Sequence, residues 1–99
     1  MGIFNGDFYP TPDSVIESMT FGLDLYNKVV LEPSVGSGAI VDYLYENTGV
    51  AEVIGCEIDE TIRYISESKC RIIEHDFLKV KSNQISHVNF IIMNPPFFG

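Results

Sequence analysis

Apolar residues along this chain fall in short bursts, broken by turn-forming residues, and the bursts alternate between two spacings. In FYPTPDSVIESMTFGL (8–23) a turn leads into a segment where Val15, Ile16, Met19 and Leu23 recur at helical intervals. Thr11 is placed to cap that helix, with Pro12 at its first position, where a missing N–H is harmless. NKVVLEP (27–33) carries a β-branched run and reads as a strand. AIVDYLYEN (39–47) then reads as a helix, AEVIGCEID (51–59) as a strand and ETIRYISES (60–68) as a short helix. CRIIEHDFL (70–78) reads as a third strand with a loop, and VNFIIMN (88–94) as a fourth.

Strands alternating with helices predict an α/β fold, a parallel sheet flanked by helices. The runs VVL, VIG and FIIM are apolar at consecutive positions, as strands covered on both faces must be. Right-handed crossovers then restrict the topology to few solutions. The expected strand order is 3-2-1-4, with a ligand crevice where the order reverses, between strands 1 and 4.

With 99 residues the chain is one domain, and its charge narrows the partners. Fourteen acidic residues against six basic ones give a net charge of -8. Nucleic-acid binding needs Lys and Arg to displace counterions from phosphates, so this stretch by itself is not a grip for DNA or RNA. Cys56 and Cys70 are too few for a disulfide scaffold and lack metal-site spacing; both read as reduced core thiols, and no metal is expected. The start of the chain has no basic segment followed by an apolar one, and no apolar run reaches membrane-spanning length. The expected location is the cytoplasm, away from membranes.

Chemistry enters with VVLEPSVGSGAI, which sets Gly36 and Gly38 between a strand and a helix. Glycine there allows a tight turn and a close approach of ligand to backbone, and the amides at a helix start favour polar groups. A dinucleotide fingerprint would need a third glycine where Val41 stands, and a P-loop would need Lys and Ser or Thr where Ala39 and Ile40 stand. Phosphate cradling is therefore disfavoured, and ATP and GTP with it. Glu57 follows Gly36 by 21 residues at the end of the second strand, where an acid accepts hydrogen bonds from ribose hydroxyls. Asp59 competes for that role, because strand alternation points both the same way; Glu57 ranks first. A nucleoside ligand without a pyrophosphate points to S-adenosylmethionine, with Glu32 facing its α-ammonium group.

The chain ends in IIMNPPFFG (91–99). With the Gly loop, Glu57 and this ending together, it resembles the class I amino-methyltransferases. It looks most like the adenine-N6 DNA methyltransferases whose methionine-site motif precedes the Gly loop. FYPTP (8–12) is similar to that motif, LEPSVGSG (31–38) to the cofactor loop, GCEID (55–59) to the ribose motif, HDFL (75–78) to the adenine-binding motif and NPPF (94–97) to the catalytic motif. The resemblance implies a partial Rossmann-like class I methyltransferase fold. It implies that Tyr9, Thr11 and Pro12 border the methionine end of the cofactor and that Glu32, Pro33, Gly36 and Gly38 shape its pocket. Glu57 would bind ribose, with Ile58 packed on the cofactor adenine. Asp76 would bind the adenine amino group, with Phe77 beside the ring. His75 and His87 are given no role.

The same resemblance assigns the chemistry to Asn94, Pro95, Pro96 and Phe97. An exocyclic amine is a weak nucleophile because its lone pair is delocalised into the ring. The Asn94 carboxamide oxygen and the Pro95 carbonyl are two acceptors for its hydrogens, and they free that pair as positive charge develops. The prolines restrict φ and keep Asn94 out of the helical region, so the acceptors are fixed in advance. Phe97 offers a stacking face to a base rotated out of a duplex. Cytosine-C5 methylation needs a cysteine nucleophile, and neither Cys56 nor Cys70 stands in the required Pro-Cys context.

The resemblance stops at the catalytic motif, so the chain is expected to be the N-terminal part of a methyltransferase domain cut after the fourth strand. DNA is then expected to be held by a C-terminal recognition segment outside these residues. An uncovered fourth strand would also invite self-association. Guanine-N2 methylation of ribosomal RNA, glutamine-N5 methylation of protein, and an inactive cofactor-binding module are the alternative readings.

Overall fold

In the computed structural model, residues 11–93 are described. Tyr9, Asn94, Pro95, Pro96 and Phe97 lie outside them, and so does the catalytic role assigned to the last four.

Four short strands form one sheet: β1 (Val29–Glu32), β2 (Glu52–Cys56), β3 (Arg71–Glu74) and β4 (Phe90–Ile91). Their order is β3-β2-β1-β4, and every pair is parallel, as the alternating pattern predicts. Val30 and Leu31 of β1 stand opposite Val53 and Ile54 of β2 on one side and Phe90 and Ile91 of β4 on the other. These central residues are buried, so β1 and β2 have the two-sided burial their unbroken apolar runs require. The outer strands are only half covered.

Three α-helices accompany the sheet: α1 (Asp13–Thr20), α2 (Ala39–Asn47) and α3 (Arg63–Lys69). Ile16, Ile40, Val41 and Leu44 from α1 and α2 meet Val30, Val53 and Ile92 in the main core. On the other side a smaller cluster of Leu31, Ile54 and Cys56 is covered by Phe77, Val80, Ile85 and Val88. These come from the β3–β4 connector, which holds two 3-10 turns, Phe77–Lys79 and Ser82–Gln84. Among the described residues no helix is long and apolar enough to cross a membrane.

Several boundaries differ from the expectation. Pro12 is extended, with ψ 147, and is itself the N-cap, so α1 starts at Asp13. Its buried face is Ile16 and Thr20, with Met19 half-buried; Val15 is exposed, and Leu23 lies past the helix end. The helix stops because Phe21 leaves helical geometry and Gly22 follows at φ 81, which returns the chain toward β1. α3 starts at Arg63 because Asp59 first organises a turn: its Oδ1 accepts from the amide and the hydroxyl of Thr61. β4 is shorter than expected. Its entry is fixed by Asn89, whose amide donates to Val29 O while its side-chain oxygen accepts from Val29 N.

Candidate functional site

Glu32 ends β1 and the chain turns at once. Ser34 N donates to Glu32 Oε1 at 2.6 Å, folding the loop back over the carboxylate. The loop then crosses β2: Val35 N donates to Cys56 O at 3.0 Å. Gly36 has φ 58 and Gly38 has φ 90, both left-handed, and Gly38 caps α2. A β-carbon on Gly38 would also strike the aliphatic stem of Lys69, so the position is closed to other residues by geometry and by space.

Glu57 joins this loop to the end of β2. Gly36 N donates to its Oε1 at 2.6 Å, and Asp59 N donates to its Oε2 at 3.0 Å. Both carboxylate oxygens are thus aimed by backbone amides from two different loops. Each oxygen keeps capacity to accept another hydrogen bond, since a carboxylate offers about four acceptor positions. β2 ends at Cys56, so strand alternation does not extend to Asp59. Asp59 turns to Thr61 instead, and those bonds hold its carboxyl below the usual range. Glu57, and not Asp59, bonds to the Gly loop.

Glu32 and Glu57 are 2% and 4% exposed, a depth at which a bare charge is unfavourable. The ion pairs among the described residues, Lys69–Asp42 and Arg71–Glu52, involve neither of them. Burial, opposed by the Ser34 amide and reinforced by the Glu57 charge, pushes the Glu32 carboxyl up to about 8. Burial also lifts the Cys56 thiol to about 11, with Glu74, Glu32, Asp76 and Glu57 adding to the effect. Cys70 is raised to about 12, first by burial. Both cysteines are free thiols, and neither is poised as a nucleophile. Among the described residues no group of three or more His, Cys, Asp and Glu is arranged to hold a metal.

The other described residues picked out in the sequence lie on the Gly loop, after β2 and β3, and at the start of α1. Pro33 and Gly38 are buried in the loop. Ile58, next to Glu57, is 66% exposed and offers a bare apolar surface. Asp76 follows β3, and its Oδ1 accepts from Leu78 N at 3.0 Å, capping the first 3-10 turn. Phe77 packs against the Leu31, Ile54 and Cys56 cluster, which anchors the segment carrying Asp76. Thr11 and Pro12 stand at the start of α1, which packs on α2. His75 and His87 are exposed.

Two residues with a part in the site escaped sequence reasoning. Arg63 donates from Nε to Glu57 O at 3.1 Å and from Nη2 to Ile58 O at 3.0 Å. Ser66, fully buried, donates to Gly36 O at 2.6 Å. Their partners are backbone carbonyls, so no side-chain motif marks them.

The carboxyl ends of the parallel strands therefore carry a glycine turn, an aimed buried carboxylate, a second buried acid and an exposed apolar residue. An acidic end of this kind is unfavourable for polyphosphate. Comparison with family models and with curated proteins gives no match. Among solved structures, the chain is similar to an RNA methyltransferase from Salinibacter ruber in complex with S-adenosyl-L-homocysteine. The TM-score is 0.65 at 21% sequence identity, over 86% of this chain and 60% of that one. The chain spans 60% of the length of that methyltransferase, and the fold they share is the Rossmann-like methyltransferase fold with strand order 3-2-1-4.

Proposed function

We propose that this chain is the cofactor-binding and catalytic portion of an S-adenosylmethionine-dependent N-methyltransferase. The observation that carries the proposal is the Gly36–Glu57–Asp59 arrangement, a buried carboxylate aimed by two amides at the carboxyl end of β2. The fold likeness to a methyltransferase bound to S-adenosyl-L-homocysteine supports the reading. The electrostatics support it too. Glu32 and Glu74 end β1 and β3, Glu57 directly follows β2, and Asp76 lies two residues past β3. That setting favours a ligand carrying ammonium and sulfonium groups over a triphosphate.

Within this reading Glu57 accepts the ribose hydroxyls, Ile58 covers one face of the cofactor adenine and Asp76 accepts from its amino group. Glu32 faces the α-ammonium group, and Tyr9, Thr11 and Pro12 border the methionine end. S-adenosylmethionine, when bound, would supply an electrophilic methyl group. Asn94 and Pro95 would accept hydrogen bonds from the target amine and free its nitrogen lone pair for that methyl group. The amine then loses one proton to solvent.

The preferred target is adenine N6 in DNA, because FYPTP and NPPF bracket the cofactor motifs in the order of that family. DNA would be held by a segment outside these residues, given the net charge of -8. RNA is the second reading, favoured by the RNA methyltransferase among the solved structures. Transfer of a labelled methyl group from S-adenosylmethionine to unmethylated DNA, RNA and protein, by a protein that joins these residues to such a segment, tests both. Label in DNA that Asn94→Ala abolishes is expected. Label confined to RNA would move the target to RNA, and label confined to protein would overturn both nucleic-acid readings.

A further inference from the structure

Helix α3 lies against the Gly loop and the end of β2 without contributing any residue proposed to touch a ligand. Its residues Arg63, Ser66 and Lys69 are spaced three apart, so they share one helical face. Each reaches a different part of the loops at the candidate site. The Arg63 guanidinium spans the carbonyls of Glu57 and Ile58. The Ser66 hydroxyl donates to Gly36 O. The Lys69 stem covers Gly38, and its ammonium pairs with Asp42 of α2 at 2.9 Å.

The Gly36 residue is thereby held at both ends. Its N–H donates to Glu57 Oε1 and its carbonyl accepts from Ser66. The backbone bearing the Glu57 side chain is held by Arg63. The direction of the Glu57 carboxylate is therefore set by two bonds from amides, and α3 fixes the loops that supply those amides. Ser66 is fully buried, so water does not replace its hydroxyl when it is removed.

We infer that the Arg63–Ser66–Lys69 face of α3 is a positioning clamp that sets how strongly the pocket recognises a ribose diol. The inference rests on the proposed role of Glu57 as the ribose ligand. Arg63 and Ser66 are positioning residues: they act through Glu57 and Gly36 and do not touch the ligand.

The test compares calorimetric affinities for S-adenosylhomocysteine and its 2′,3′-dideoxy counterpart in the wild-type chain, Ser66→Ala and Arg63→Lys. The ratio of the two affinities reports the diol alone. A role confined to general stability would weaken both ligands equally and leave the ratio unchanged. Ser66→Ala is expected to lower the wild-type diol preference by about tenfold, the size of one lost hydrogen bond. Arg63→Lys retains the charge but cannot span two carbonyls, and it stands on a partly exposed face, so it remains informative if Ser66→Ala fails to fold. It is expected to lower the ratio as well. An unchanged ratio in the folded variants overturns the clamp. A wild-type chain that binds both ligands equally overturns it too, by removing Glu57 from ribose while leaving a cofactor pocket in place. A wild-type chain that binds neither ligand overturns the methyltransferase reading and the clamp together.

Discussion

Raising the pH from about 5 to about 8 is expected to strip stability from this chain, and Glu32→Gln is expected to remove most of that loss. The cause is one buried carboxyl. Glu32 is 2% exposed, and burial lifts its folded value to about 8 from an ordinary 4.5. Between those values the folded chain keeps a proton that the unfolded chain has released. Stability therefore falls as pH rises through that window and levels off above about 8. At roughly 1.4 kcal/mol per pH unit, the gap corresponds to at most about 5 kcal/mol. Urea midpoints at pH 5, 6, 7 and 8 measure the slope. The neutral amide of Glu32→Gln carries no such proton, so its midpoints should change far less. Equal slopes in the two chains would show that Glu32 is not the group that titrates. If Glu32 faces an ammonium group in the complex, ligand binding near neutral pH also releases its proton.

Gly55→Ala is the second large effect. Gly55 lies in β2, directly beneath the crossing of the loop that follows β1. A β-carbon there would collide with the Val35 side chain, approach the Glu32 carbonyl to 3.1 Å and approach the Cys70 sulfur to 3.2 Å. The carbonyl belongs to the backbone of β1 and has nowhere to go. Strain of this kind costs roughly 1–3 kcal/mol and occasionally more. It would also lift the loop away from β2, separating Gly36 from Glu57. The expected result is a lower melting temperature together with lost cofactor affinity. Ala51→Gly, an exposed change just before the same strand, is the control for generic strand effects. A Gly55→Ala chain that melts and binds like wild type would mean that the loop does not cross so closely.

The elements that were legible in the sequence are those whose signal is local. The span of α2 follows from a glycine before it and an unbroken helical run, and it reads off as Ala39–Asn47. The strand order was one of the few that alternation and crossover handedness allow, and neither needs side-chain detail. The start of α1 was misplaced by one residue because a proline serves an N-cap as well as a first turn, and only ψ distinguishes them. Which of Glu57 and Asp59 bonds to the Gly loop was equally ambiguous, since it depends on where β2 stops and not on which acids are present. Arg63 and Ser66 were invisible for a different reason. Ser66 meets Gly36 across 30 positions of chain, and a backbone carbonyl carries no residue-specific mark.

The most direct measurement is a calorimetric titration of the chain with S-adenosylhomocysteine, run beside Asp76→Asn. Asparagine can still accept the Leu78 amide that Asp76 holds, so the 3-10 turn keeps its cap while the carboxylate is removed. Binding in the micromolar range that Asp76→Asn weakens at least tenfold is expected if the carboxyl ends of β1, β2 and β3 form the cofactor pocket. A folded chain that does not bind, or one whose affinity ignores Asp76, would contradict it.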